Sequence, residues 1–272
     1  MGTSGFTTWT ALLARSGAKT TDHPENGVDL KMPRCLELFA GTGSIGRAFS
    51  NRDWEVVSLD IDPKSNPTIV ADILKWDERT YPKGHFDFVW ASPLCTYYSI
   101  ARSTKKSTPQ ELAYADSLVE KTLEIIKYFG AHWAIENPKT GCLKTRPFML
   151  ELGLPFRDIT YCKYNGPQYK KATRIWNNLG DHWQPRACCD KDSRCEHFAN
   201  GVHPATAQRG PCNKKGTTVP EGCHRQSQLY HIPAALCDEI ALAAESALRE
   251  NAAVHQEGPS LERDATEDLR GN

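Results

Sequence analysis

The sequence lacks a long apolar run, and no stretch approaches the roughly 20 apolar residues that a membrane-spanning helix needs. It also lacks a continuous apolar core in its first residues, so we expect no export signal. N-myristoylation requires Ser or Thr at position 6, which here is Phe6. These absences argue against a membrane partner and against secretion.

The ten cysteines include no Cys-x-x-Cys pair. Without a secretory signal, so many cysteines indicate reduced thiols, metal ligands or a catalytic thiol rather than a disulfide framework. We therefore expect a reducing compartment, either the nucleus or the cytoplasm.

The chain has no net charge, because 33 Lys and Arg balance 33 Asp and Glu, yet the charges are unevenly placed. Residues 161–225 contain eleven Lys or Arg against five Asp or Glu, whereas residues 238–272 contain three against nine. A basic stretch of this kind is where a polyanion would bind. The alternative is a solvated basic surface without a nucleic-acid partner.

Strands alternate with helices from Cys35 onward, which predicts a parallel, doubly wound α/β sheet of the Rossmann-like class. The predicted strands cover residues 35–39, 55–59, 68–70, 86–91 and 132–135, and the predicted helices cover residues 45–50 and 109–129. A chain of 272 residues has room for one such domain and a small lobe. We expect a loose arm at 1–31, a catalytic domain at 32–176, an irregular Cys/His-rich lobe at 177–225, a returning helix at 226–248 and a disordered tail at 249–272.

Glycines and acidic side chains gather where the predicted strands end. Gly41 and Gly43 permit a tight turn and a close approach of the backbone to a ligand after the first strand. Asp60 ends the second strand and suits the two hydroxyls of a ribose, and Asp72 ends the third and suits an adenine amino group. Since such sheets bind ligands at the carboxyl ends of their strands, we expect a nucleoside cofactor, with S-adenosylmethionine preferred to NAD.

Five segments, in order, resemble motifs of the C5 cytosine-specific DNA methyltransferases. Residues 36–43 (LELFAGTG) resemble a D-L-F-A-G-x-G motif, residues 92–99 (SPLCTYYS) a G-P-P-C-Q-G-F-S loop, and residues 136–138 (ENP) an E-N-V motif. Residues 166–174 (GPQYKKATR) resemble a V-P-Q-x-R-x-R motif, and residues 226–240 a final motif that packs a helix beside the first strand. The chain resembles short members of the kind found in viruses and phages.

The resemblance implies methyl transfer from S-adenosylmethionine to cytosine in double-stranded DNA by a monomeric enzyme. Carbon-5 of cytosine is a poor nucleophile, so a thiolate, here Cys95, must first attack carbon-6. Glu136 would donate a proton or hydrogen bond at N3, and the target base must be flipped out of the duplex. The resemblance further implies that Asn137 orients the Cys95 loop. Lys170 and Arg174 would hold the flipped nucleotide or its phosphates.

The cofactor site implied in this way combines the glycine turn with the ends of the next three strands. In it, Phe39 and Ile61 would sandwich the adenine. The full predicted set is Phe39, Ala40, Gly41, Thr42, Gly43, Ser44, Asp60, Ile61, Asp72, Ile73 and Pro93.

The chain departs from the family pattern beside the nucleophile. Leu94 replaces the usual proline, Thr96 replaces glutamine, and Pro138 replaces valine. Lys170 and Thr173 stand where arginines are common. We expect Leu94 in particular to slow turnover, because it changes the loop that carries Cys95.

The lobe concentrates Cys and His within 37 residues: Cys188, Cys189, Cys195, His197, His203, Cys212, Cys223 and His224. Tetrahedral zinc with mixed Cys and His ligands would stiffen a region too small for its own core. The predicted ligands are Cys188, Cys195, His203 and Cys212, and the alternative is free thiols. In the family this region recognises the target, but no target sequence follows from these residues.

Three other functions compete with this interpretation. Amino-group methyltransferases use a Pro-Pro-Tyr loop, whereas Ser92-Pro93-Leu94-Cys95 lacks both the second proline and the aromatic residue. A C5 methyltransferase of RNA such as tRNA fits the same motifs. A DNA-binding regulatory homologue with weak or no catalysis would need neither Cys95 nor Glu136, so the presence of both argues against it.

Overall fold

A computed structural model describes residues 32–99, 106–164, 169–199, 201–207, 210–211 and 231–256. The predicted arm at 1–31, most of the predicted disordered tail, Gly166 to Gln168 and Cys212 lie outside these residues.

The described residues form ten strands and four helices. The strands are β1 (Arg34–Leu38), β2 (Glu55–Asp60), β3 (Ile69–Val70), β4 (Phe88–Ala91), β5 (His132–Pro138), β6 (Phe156–Thr160), β7 (Tyr169–Lys170), β8 (Ala172–Asn177), β9 (Ala205–Thr206) and β10 (Gly210–Pro211). The helices are α1 (Ser44–Ser50), α2 (Pro109–Phe129), α3 (Pro147–Leu152) and α4 (Ala234–Gln256).

Seven strands form the main sheet in the order β3-β2-β1-β4-β5-β8-β6. The pairs from β3 to β5 are parallel, as predicted, but β8 runs antiparallel to both β5 and β6. The chain between β6 and β8 is too short for the crossover helix that a parallel pair requires. The strand order reverses at β1, between β2 and β4, and this is where a crevice opens in α/β sheets.

Helices cover the two faces of this sheet, as a doubly wound fold requires. Phe49 of α1 and Leu236 of α4 belong to one buried apolar cluster, and Val119 of α2 belongs to the other. Neighbouring residues of β1 divide between them, Cys35 in the first cluster and Leu36 in the second, because successive side chains of a strand point to opposite faces.

Helix α2 has the predicted bounds because its ends are encoded locally. Thr108 and Glu111 form a capping box at its start, and Gly130 ends it in a left-handed conformation (φ 65°).

Helix α4 continues to Gln256, so the prediction that a disordered tail begins at residue 249 is wrong for its first residues. Contacts with the body of the protein extend past that point. Glu250 lies 2.7 Å from His182 Nε2, and Asn251 Nδ2 lies 2.8 Å from His132 Nε2. These contacts hold the last turns of α4 against the protein, although their polar composition predicts a disordered tail.

A second sheet of three short strands has the order β10-β9-β7. It joins β7, predicted in the catalytic domain, to β9 and β10 of the lobe. Within the described ranges, no helix is long and apolar enough to cross a membrane.

Candidate active site

A cleft of about 570 Å³ opens at the carboxyl ends of the parallel strands. It brings together most of the residues that the sequence predicted for the cofactor and for catalysis. Those that line it are Phe39, Ala40, Gly41, Thr42, Ser44, Asp60, Ile61, Asp72, Ile73, Pro93, Cys95 and Glu136. Gly43, the N-cap residue of α1, is absent from the lining.

The turn after β1 forms one wall of the cleft. Phe39, Gly41 and Gly43 all have positive φ angles, of 57°, 49° and 62°. The turn is fixed by Asp60, whose Oδ2 accepts a hydrogen bond from the Gly41 amide at 2.8 Å. The other oxygen, Oδ1, accepts from the Asp62 amide at 2.8 Å. Each carboxylate oxygen keeps a second lone pair for a donor in the cleft.

Glu37 lies beneath this wall and was not predicted as a site residue. Its side chain is buried, lines the cleft and accepts a hydrogen bond from the Ile45 amide at 3.2 Å. Burial raises its pKa from 4.5 to about 7, although the amides of Gly46 and Ile45 and the Arg47 charge oppose this shift. The carboxyl group is therefore only partly ionised at neutral pH.

Gly46 makes room for this carboxyl group, since a Cβ at position 46 would lie 2.6 Å from Glu37 Oε2. Gly41, Gly43 and Gly46 together also satisfy the G-x-G-x-x-G spacing of dinucleotide sites. The glycines by themselves therefore do not separate S-adenosylmethionine from NAD.

Cys95 lies on the loop that follows β4. Asn137 on the neighbouring β5 is fully buried and donates a hydrogen bond from Nδ2 to the Pro93 carbonyl at 3.0 Å. The Cys95 carbonyl accepts from the Tyr98 amide at 3.1 Å, which closes a short turn after the cysteine. Asn137 thus ties the loop to the sheet. Leu94 lines the cleft with 38% of its surface exposed.

The Cys95 thiol has a pKa above its usual value, mainly because it is buried. The nearby Glu136 carboxylate raises the pKa further, and the Lys171 ammonium opposes the increase. In the free protein the thiol therefore carries its proton at neutral pH, and it must lose that proton before it attacks.

Glu136 and Lys171 form a buried pair, with Lys171 Nζ 3.3 Å from Glu136 Oε1. The Tyr161 hydroxyl donates to the same oxygen at 3.1 Å. Lys171 Nζ also lies 4.6 Å from the centre of the Tyr161 ring. Sequence reasoning missed both residues, although Lys171 adjoins Lys170 in the motif that it used.

Neither Lys170 nor Arg174, predicted to hold the flipped nucleotide or its phosphates, lines the cleft. Lys170 Nζ donates to the Cys189 carbonyl at 2.8 Å. Arg174 Nε donates to Asp158 Oδ1 at 2.8 Å, and its guanidinium lies 3.6 Å from the centre of the Phe156 ring. Side chains alternate along an extended chain, so Lys171 faces the cleft where its neighbour Lys170 does not.

Four buried ligand-type side chains meet between the main sheet and the lobe: Cys162, Cys189, Cys195 and His203. Their ligand atoms all lie within 4.8 Å of one another. Two of the predicted metal ligands, Cys195 and His203, belong to this group. Cys188 does not, because its thiol donates to the Asp158 carbonyl at 3.1 Å.

No protein-family model matches the sequence. The "Probable DNA (cytosine-5)-methyltransferase" of Frog virus 3 (isolate Goorha) is 30% identical over 225 residues, which cover 76% of this chain and 98% of that protein. Two solved structures share less sequence. The Entamoeba histolytica methyltransferase EhMeth has 11% identity and a TM-score of 0.45 over 82% of this chain and 99% of its own. A mutant of Spodoptera frugiperda DNMT2 has 14% identity and a TM-score of 0.39 over 65% of this chain and 58% of its own.

The similarity to the viral protein spans almost all of that protein and most of this chain. The protein is therefore a methyltransferase and belongs to the DNA (cytosine-5)-methyltransferase family.

Proposed function

We propose that this protein transfers a methyl group from S-adenosylmethionine to carbon-5 of a cytosine flipped out of double-stranded DNA, with Cys95 as the covalent nucleophile. One observation carries the proposal. A single cleft holds Cys95 and Glu136 together with the glycine turn and Asp60. A thiol and an acid are the two groups that addition across a pyrimidine ring needs.

The residues around the cleft suit S-adenosylmethionine. Asp60 is fixed with free lone pairs toward a ribose, and Asp72 lines the cleft at the end of β3. Ile61 exposes 64% of its surface beside them, an apolar area that an adenine ring would cover against Phe39. When bound, the cofactor supplies an electrophilic methyl group.

The chemistry at the base begins at Cys95. The thiol passes its proton across the cleft to the Glu136 carboxylate, and the thiolate forms a bond to carbon-6. Glu136 then gives that proton to N3, which the electrons displaced through the ring have reached. Carbon-5 is then an enamine carbon and can accept the methyl group. Loss of the carbon-5 proton to a base re-forms the double bond, breaks the carbon–sulfur bond and releases Cys95, while Glu136 recovers its proton from N3.

The neighbours of these two residues tune the reaction. Lys171 favours the thiolate of Cys95, since its positive charge lowers the pKa of that thiol. Lys171 and the Tyr161 hydroxyl both contact Glu136 Oε1. They hold the carboxyl group at one side of the cleft, where it can exchange a proton with N3.

The test is covalent trapping. Oligonucleotides that carry 5-fluorocytosine, as duplex DNA and as RNA, are incubated with the protein and S-adenosylmethionine and separated on a denaturing gel. Fluorine at carbon-5 prevents the final proton loss, so the adduct persists. We expect a shifted band with DNA that disappears in Cys95→Ala.

Three outcomes would contradict the proposal. A band with RNA alone would move the substrate to RNA. No band with either nucleic acid, from folded protein that binds the cofactor, would exclude the C5 mechanism. A DNA band that survives in Cys95→Ala would exclude Cys95 as the nucleophile.

A further inference from the structure

The Cys162, Cys189, Cys195 and His203 side chains form a compact group away from the methyl-transfer cleft. Cys189 Sγ and Cys195 Sγ lie 3.4 Å and 3.3 Å from His203 Nε2. With Zn–S bonds of about 2.3 Å and Zn–N bonds of about 2.0 Å, tetrahedral ligands lie roughly 3.5 Å apart. The spacing is therefore close to that of a tetrahedral site.

Three of the ligands come from the lobe and one from the main sheet. Cys162 lies in the short turn after β6, whereas Cys189, Cys195 and His203 belong to residues 177–225. Among the described residues, the three cysteines of this group pack with Phe198 alone, so the apolar core around them is small. A region of this kind needs a staple to keep one conformation.

The backbone around the cluster is already arranged to support such an ion. The Cys195 amide points at Cys189 Sγ at 3.3 Å, and the Cys189 amide donates to Thr160 Oγ1 at 2.7 Å. Hydrogen bonds to ligand atoms and to their immediate neighbours commonly orient the ligands of a metal site.

We propose that Cys162, Cys189, Cys195 and His203 bind one structural zinc ion that fixes the lobe to the end of β6. Four protein ligands leave no open position for a substrate, so the ion serves structure and not catalysis. The ligand types indicate the metal, since three soft thiolates and an imidazole suit zinc far better than magnesium or calcium.

The cluster is also linked to the active cleft by the residue next to Cys162 in the chain. Tyr161 directly precedes Cys162, and its hydroxyl contacts Glu136. Its amide donates to the Lys171 carbonyl at 3.1 Å. The zinc ion would therefore fix the segment that supports the Glu136–Lys171 pair as well as the lobe.

The test measures metal in the full-length protein, expressed without a histidine tag in zinc-supplemented medium. We expect about one zinc per chain in the wild type and a loss of most of it in Cys195→Ser and His203→Ala. The matched controls are Cys188→Ser, next to a proposed ligand, and Cys212→Ser, a ligand only in the sequence-based set. Both controls should keep their zinc.

A second measurement on the wild type covers the case in which ligand variants do not fold. Cobalt added during expression should give the intense visible absorption of tetrahedral cobalt with a thiolate charge-transfer band. An organomercurial that modifies thiols should release the zinc to a chromogenic chelator. Far less than one zinc in the wild type, an octahedral cobalt spectrum, or equal loss in Cys188→Ser and Cys195→Ser would each overturn the proposal.

Discussion

The hydrogen bond from Asn137 Nδ2 to the Pro93 carbonyl is the buried contact that ties the Cys95 loop to β5. Asn137→Ala removes it and leaves that carbonyl without this donor. An unpaired buried polar group costs about 1–3 kcal/mol. If this cost falls on the ordered conformation of the Cys95 loop, trapping of Cys95 by 5-fluorocytosine DNA should slow by roughly 5- to 150-fold.

Asn177 provides a matched control on the adjacent strand β8. It is also buried, it donates to the Ile175 carbonyl at 3.2 Å, and it accepts from the Leu179 amide at 3.1 Å. Neither of these hydrogen bonds involves the Cys95 loop. Asn177→Ala should therefore cost a similar free energy of unfolding and leave the trapping rate unchanged.

The assay is the single-turnover rate of adduct formation at saturating cofactor, with urea denaturation of each variant to measure stability. A fall in rate for Asn137→Ala that matches the fall for Asn177→Ala would refute the reasoning, because both rates would then follow general stability. A wild-type rate in Asn137→Ala would refute it as well.

Three further predictions concern the protons and the packing around the cleft. Because burial raises the pKa of the Cys95 thiol, the rate of its alkylation by iodoacetamide should keep increasing beyond pH 9.0. Mass spectrometry of the tryptic peptide 84–102 measures this rate, and a plateau below about pH 8.5 would contradict the prediction. The pKa of Glu37 is about 7 in the folded protein against an ordinary value of 4.5, so its contribution to stability is full below pH 4.5 and is lost as pH rises to about 7. Urea denaturation across this range should show a decrease in the free energy of unfolding that Glu37→Gln removes. An equal decrease in Glu37→Gln would contradict this prediction. Gly46→Ala places a Cβ 2.6 Å from the Glu37 carboxyl, so it should destabilise the fold by about 1–3 kcal/mol and weaken the binding of S-adenosylmethionine, measured by calorimetry. Gly84→Ala, at φ 70° but in open space, should leave this affinity unchanged.

The sequence predicted the cleft because its residues mark strand ends. Asp60 ends β2, Cys95 lies on the loop after β4, and Glu136 lies near the end of β5. The carboxyl ends of parallel strands meet at one edge of the sheet. The bounds of α2 were predictable for a similar reason, because its capping residues are local.

The remaining features depend on register and on contacts between distant segments. Lys171 lies between β7 and β8 and meets Glu136 of β5 only in the folded chain. A motif comparison cannot choose between two adjacent lysines. Cys162 was missed because it lies 27 residues before Cys189 in the sequence, within the predicted catalytic domain and outside the predicted lobe. The length of α4 depends on contacts with His132 and His182, which no local sequence pattern predicts.

Mapping the trapped adduct shows directly whether Cys95 adds covalently to the base. After reaction with 5-fluorocytosine DNA and S-adenosylmethionine, the protein is digested with nuclease and trypsin and measured by mass spectrometry. We expect a methylated fluorocytosine nucleotide on residues 84–102, whose one cysteine is Cys95. An adduct on any other cysteine, or no adduct from folded protein that binds the cofactor, would contradict it.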